Sequence, residues 1–117
     1  MKTYRDLIVW QKSILLVKKI YLLSRKLPEE EKFGLSSQMR RSSVSIPSNI
    51  AEGYGRRSTA DYVRFLNIAI GSLYELQTQI EIIHQLSYIP PNAYYDVFEK
   101  TREIERMLSS LVSKIRA

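Results

Sequence analysis

Cysteine is absent from this chain, which excludes disulfides, thiolate metal sites and a cysteine nucleophile. Its absence also suits a reducing compartment, so a cytoplasmic protein is expected. There is one histidine, His84, which removes most acid–base and metal chemistry at a stroke. Four glycines and four prolines leave little chain for turns. A few long elements are therefore expected, not many short strands. No apolar run exceeds a few residues, Ile14–Val17 being typical, so no membrane-spanning helix is expected. The opening Met1-Lys2-Thr3-Tyr4-Arg5-Asp6 has neither the apolar run nor the cleavage site of a signal peptide.

What remains is enough for one domain with a real core: 117 residues, 44% hydrophobic and 26% charged. The net charge is +6 and the pI about 9.7. The charge is uneven. Residues 1–26 carry seven basic groups against Asp6. Residues 32–64 carry six, against Glu52 and Asp61, and residues 65–99 carry Glu75, Glu81, Asp96 and Glu99 with no lysine or arginine. A basic pole of this kind points to a polyanionic partner, nucleic acid before anionic membrane. The plainer reading is that the charge serves solubility.

Apolar residues at steps of three and four predict four helices, at about 7–26, 29–54, 59–87 and 91–115. In the first, Asp6 is the expected N-cap. Leu7, Trp10, Ile14, Val17 and Tyr21 are the expected core face, widened by Leu16, Ile20 and Leu23. The second is expected to open on Pro28-Glu29-Glu30-Glu31, where carboxylates suit the helix dipole. Its stripe is Leu35, Met39, Ile46 and Ile50, with Pro47 kinking and not breaking it. Ser58 or Thr59 should cap the third, whose seam is Tyr62, Leu66, Ala69, Leu73, Leu76, Ile80 and Ile83. The fourth starts at Pro91 or Asn92 and uses Tyr94, Phe98, Thr101, Ile104, Leu108, Leu111 and Ile115. Matched lengths and short connections predict an all-α fold, an antiparallel up-down four-helix bundle in one domain, 1–117.

Constellations for chemistry are few. Glu81-Ile82-Ile83-His84 puts two metal-ligand types on one helix face, but a di-iron bundle needs two such motifs and two further carboxylates. One histidine cannot supply them, so no metal or other cofactor is expected. A Ser–His pair would have to use His84, and no Gly-x-Ser-x-Gly elbow occurs, so no catalytic residue is assigned. Gly53-Tyr54-Gly55-Arg56-Arg57-Ser58 lacks the spacing and lysine of a nucleotide loop. It reads first as a helix–helix turn with a left-handed glycine, and second as a cradle for a backbone phosphate. Finally Gln38, Arg41, Ser45, Asn49 and Glu52 form a polar row beside the apolar stripe of the second helix. The row is either a hydrogen-bond network between helices or subunits, with Arg41 paired to Glu52 or Glu75, or a solvated face. Ala69-Ile70-Gly71-Ser72 would let another helix approach closely.

Tyr4-Arg5-Asp6-Leu7-Ile8-Val9-Trp10-Gln11, Gly34-Leu35 with Gln38-Met39-Arg40-Arg41, Ser45-Ile46-Pro47-Ser48-Asn49-Ile50-Ala51-Glu52-Gly53 and Ala69-Ile70-Gly71-Ser72-Leu73-Tyr74-Glu75 carry a resemblance. Together they resemble the four helix bundle proteins, also called the 23S rRNA intervening sequence protein family, over about Tyr4 to Ile89. The resemblance implies a bundle that assembles into a ring-shaped homo-oligomer, a homopentamer, without known enzymatic activity. Some relatives are encoded inside intervening sequences of bacterial 23S rRNA genes. A similar fold serves diversity-generating retroelements as a basic pentamer that binds nucleic acid and a reverse transcriptase. The family name reports gene location and is not itself evidence of RNA binding.

The expected function is a non-enzymatic, oligomeric accessory protein that contacts RNA phosphates through Arg40, Arg41, Arg56, Arg57, Lys12, Lys18 and Lys19. No small-molecule substrate and no membrane contact are expected. Few aromatics fall among those basics in sequence, Tyr54 and Trp10 being nearest, so base stacking is not indicated. The alternative is a protein-interaction scaffold. Basic residues in one belt would favour RNA. Basic residues scattered and paired with Glu99, Glu103 and Glu105 would favour the scaffold.

Overall fold

The computed structural model describes residues 2–117. Four helices are present: α1 (Ile8–Ser24), α2 (Leu35–Tyr54), α3 (Thr59–Gln85) and α4 (Pro91–Arg116). No strand occurs among the described residues. Each helix packs on its neighbours in sequence, and α4 closes back on α1, while α1 and α3 occupy opposite corners without contact. This is the order of an up-and-down bundle, 44 Å long. The start of α1, the end of α2, the start of α3 and the end of α4 therefore share one end of the molecule.

The core is the expected seam of α3, where Leu66, Ala69, Leu73, Leu76, Ile80 and Ile83 are fully buried, against Met39, Ile46 and Ile50 of α2. Ile104, Leu108 and Thr101 complete it from α4, joined by Val97 and Val112. Ser58 caps α3 as expected, its hydroxyl accepting from the Asp61 amide at 3.1 Å. Pro91 opens α4 in its first turn. α2 runs unbroken through the buried Pro47.

The first helix departs from expectation at its start and on part of its core face, while Leu7, Leu16, Ile20 and Leu23 are buried as expected. Asp6 does not cap α1. Its carboxylate accepts from the Lys2 and Thr3 amides at 2.8 and 3.2 Å, closing a 3-10 turn over Tyr4–Asp6. Those two amide bonds hold its pKa below the ordinary carboxylate value. Leu7 sits in the cap position without a side-chain bond. The face turned to the core is Val9, Ser13, Leu16, Ile20, Leu23 and Ser24, while Ile14 and Tyr21 are exposed. The buried serines are satisfied locally, Ser13 donating to the Trp10 carbonyl at 2.7 Å and Ser24 to that of Tyr21 at 2.9 Å. A hydroxyl that bonds its own helix can be buried at little cost.

The second helix begins later than expected. Glu29–Glu31 forms a separate 3-10 turn, and Gly34 leaves the helical region at φ −106°, ψ −112°. The carboxylates still serve the helix start, because Glu31 accepts from the Leu35 amide at 3.3 Å. The turn after α2 uses no left-handed glycine, contrary to the sequence reading. The left-handed residue is Ser87, at φ 59°, which ends α3. There the Ser87 amide bonds the His84 carbonyl and the Tyr88 amide bonds that of Ile83, the double closure of a Schellman motif.

Gly53 has a different task. A Cβ there would stand 2.8 Å from the Phe65 Cβ and 3.2 Å from the Tyr62 carbonyl oxygen. α2 and α3 approach so closely that only hydrogen fits between them. Gly53→Ala should gain about 1 kcal/mol of helix propensity and lose more to overpacking, about 1–3 kcal/mol. The expected outcome is a net loss of stability in chemical denaturation, with a midpoint equal to or above that of the parent counting against this packing.

Candidate nucleic-acid interface

The seven basic residues expected to bind phosphate do not form one belt. Arg40 is half-buried between α1 and α2, where its Nε donates to Ser24 Oγ at 2.9 Å and its guanidinium lies 5.3 Å over the Tyr21 ring. Arg41 pairs with Glu75 at 3.4 Å. Lys12 pairs with Glu103 of α4 at 3.3 Å, and Lys19 with Asp96. Lys18 is exposed on α1. Paired surface charges hold each other weakly, but their mutual neutralisation removes attraction for a polyanion.

Arg56 and Arg57 behave differently, because of where the turn between α2 and α3 lies. The shared end of the bundle also holds Arg5, Arg64, Lys114 and Arg116, against Asp6, Glu52 and Asp61. With Lys2, whose amide bonds Asp6, seven lysines and arginines share that end with three aspartates and glutamates. Asp61 is held by Arg64 at 2.9 Å, and Glu52 reaches Arg56 only at 4.0 Å. Arg57 is exposed and has no ion pair among the described residues. Arg5, Arg64, Lys114 and Arg116 were missed because they are far apart in sequence. The signal was available in the helix lengths, since four matched helices must bring these positions to one end.

The first amides of α3 are already partly used. The Ser58 hydroxyl takes the Asp61 amide, and Asp61 places its own carboxylate in the first turn. That lessens the appeal of the helix start as a phosphate cradle, and leaves the arginine side chains as the contacts.

The polar row of α2 is divided by the structure. Ser45 Oγ lies 2.8 Å from Ser72 Oγ of α3, and Asn49 Nδ2 donates to the Ser45 carbonyl at 2.8 Å and hydroxyl at 3.0 Å. Arg41 joins Glu75, which accepts from Gln79 Nε2 at 3.4 Å, and Gln79 Oε1 accepts from Ser42 at 2.7 Å. Ser42 and Gln79 are buried members absent from the sequence reading. Gln38 is exposed, and Glu52 is 60% exposed and turned to Arg56 instead of Arg41.

A family profile described as 23S rRNA-intervening sequence protein matches residues 5–110. The chain belongs to that family. It is also similar to a crystal structure of a protein of unknown function from the S23 ribosomal protein family of Bacteroides thetaiotaomicron. The identity is 31%, over 90% of this chain and 98% of that one, with a TM-score of 0.84. No curated protein matches the chain.

In this member of the 23S rRNA-intervening sequence family, the Glu81–His84 pair is engaged in packing. Glu81 accepts from the Tyr94 hydroxyl at 2.6 Å and from Gln85 at 2.8 Å. The His84 ring stacks on Tyr94 at 3.8 Å between centroids. The bond to Glu81 pushes the Tyr94 phenol up to about 12, and bonds from Gln85 and then Tyr94 draw the Glu81 carboxyl down. Hydrogen bonds from Lys100 and Lys19 likewise lower Asp96, which ties α4 to α1. No helix is long and apolar enough to cross a membrane among the described residues.

The divided row makes a sharp prediction. Glu52→Ala should change stability by less than about 0.5 kcal/mol. Gln79→Ala should cost about 1–3 kcal/mol by leaving buried groups unmatched. Urea unfolding of both variants checks this, and equal losses would contradict the placement of Glu52 outside the buried seam.

Proposed function

We propose that this protein is a non-enzymatic, self-assembling nucleic-acid-binding accessory protein that grips RNA phosphates with the basic end of its bundle. The observation that supports this is the convergence of Arg5, Arg56, Arg57, Arg64, Lys114 and Arg116 at one end, in excess over nearby carboxylates. Contacts of this kind release counterions from the polyanion, so affinity falls steeply with salt. Arg56→Ala with Arg57→Ala should lower the slope of log affinity against log salt by about 1.4 on single strands. Lys12→Ala with Lys19→Ala should change it less, because both lysines are held in ion pairs, whereas Arg56 meets Glu52 only at 4.0 Å and Arg57 has no ion pair among the described residues. A salt-independent affinity, or equal slopes in the two double variants, would overturn this reading.

Self-assembly is supported by two faces without a partner in the monomer. On α1, Ile8, Leu15 and Leu22 recur every seven residues and are 59%, 66% and 50% exposed. α1 is also purely basic, with Lys12, Lys18 and Lys19 and no acid. On α3, Ile68 and Ile82 are exposed around Glu75, and Gly71 has open space where a Cβ would be. These two faces differ and lie on opposite corners of the bundle. Pairing one with the other is head-to-tail association, which closes into a ring when the rotation permits. Leu15→Glu with Leu22→Glu should leave the fold stable to within about 1 kcal/mol and reduce the assembly to monomers in sedimentation. An unchanged assembly would exclude this face.

The paired lysines favour a second reading, a scaffold that binds a protein partner without nucleic acid. Lys12 with Glu103 and Lys19 with Asp96 are the ion pairs that such a surface would show.

A further inference from the structure

The basic end is not bare charge. The fold places aromatic rings beside its arginines, some from sequence neighbours and one from across the α2–α3 turn. Arg5 lies 5.6 Å over the Trp10 ring and 5.9 Å over Tyr4, and the two rings meet edge to face at 5.1 Å. Across the turn, Arg56 and Arg64 lie 4.6 and 4.5 Å over the same ring, that of Phe65. Phe65 is buried, while the arginine side chains on it stay 44% and 58% exposed. Tyr4 and Trp10 are half-buried.

We infer that this end takes unpaired nucleotides, stacking their bases on the ring-seated guanidinium planes and on Trp10. The inference rests on the nucleic-acid reading above and specifies its ligand. A guanidinium against an aromatic ring loses freedom while keeping an exposed side, and Arg64 is held further by its Nε donating to Asp61 at 2.9 Å. It therefore offers a second π-like surface at little further entropic cost, beside cations for the adjoining phosphates. Stacked platforms flanked by basic groups are what single strands use, because every base has a face to offer. A duplex hides those faces within its own stack and presents phosphates and 2′-hydroxyls instead. The chemistry of the two basic regions differs accordingly. On α1, Lys12 pairs with Glu103 and Lys19 shares Asp96 with Lys100, and among the described residues no ring lies under either lysine. The end of the bundle carries arginines set on rings.

Trp10 is the single tryptophan, so its emission reports on this site. The full chain is titrated at low salt with a 12-nucleotide unpaired RNA and with a 12-base-pair RNA duplex, following anisotropy and Trp10 fluorescence. The expected result is binding of the single strand about tenfold or more tighter than the duplex, with Trp10 quenched by the strand alone. Arg64→Lys keeps the charge and removes the flat face. It should weaken the strand about fivefold or more and leave the duplex unchanged, while a melting curve checks that the bundle is intact. Equal affinities with Trp10 unquenched, or equal weakening of both ligands by Arg64→Lys, would overturn the stacking site and leave phosphate binding standing. Binding of neither RNA would overturn both.

Discussion

The close approach of α2 and α3 governs the rest of this molecule. Gly53 permits it at one end, where a single carbon would collide with Phe65 and Tyr62. Along its length, Met39, Ile46 and Ile50 meet the fully buried ladder of α3. Toward solvent, the same seam is small and polar, with Ser42, Ser45 and Ser72 bonded across or along it. Small residues let the backbones close, and local hydroxyl bonds make the burial tolerable. The contact also fixes the short turn between the two helices. Arg56 from the end of one and Arg64 from the start of the other consequently reach the same Phe65 ring.

The legibility of the fold followed the distinctness of each helix's pattern. α3 and α4 carry a seven-residue apolar repeat, so most of their seams could be read directly, although α3 also exposes Ile68 and Ile82 and buries Val63 and Phe65 beside the repeat. α1 is apolar nearly all round. Ile8, Ile14, Leu15, Leu16, Ile20, Tyr21, Leu22 and Leu23 admit several stripes at steps of three and four. The true core face includes Ser13 and Ser24, which composition assigns to solvent. The late start of α2 was hidden for another reason. Three glutamates after a proline satisfy every local rule for a helix start, yet Gly34 leaves the helical region and the chain begins again at Leu35.

The candidate interface was half visible. Arg56 and Arg57 could be named from a Gly-bearing turn, but their companions come from residues 5, 64, 114 and 116, joined only by topology. Lysines of α1 drew attention through local charge density, and the partners of Lys12 and Lys19 lie far along the chain on α4, at Glu103 and Asp96. Charge counted along a sequence ignores such pairing. Aromatic interleaving suffers from the same blindness at the α2–α3 turn, since Phe65 and Arg56 become neighbours only once α3 turns back on α2.

A division of labour follows from the geometry. The sides of the bundle carry long helical faces, apolar at seven-residue spacing on α1 and small on α3, which suit contact with other helices. The end carries the short α2–α3 turn and arginines from several elements. In a ring built through the sides, every subunit would retain its basic end, and all those ends would point the same way under rotational symmetry. A charge excess too small to hold a polyanion in one subunit would then be repeated around a rim, and its sites would be linked at high effective concentration. A modest surplus of cations per chain would thus matter more in an assembly than in the monomer.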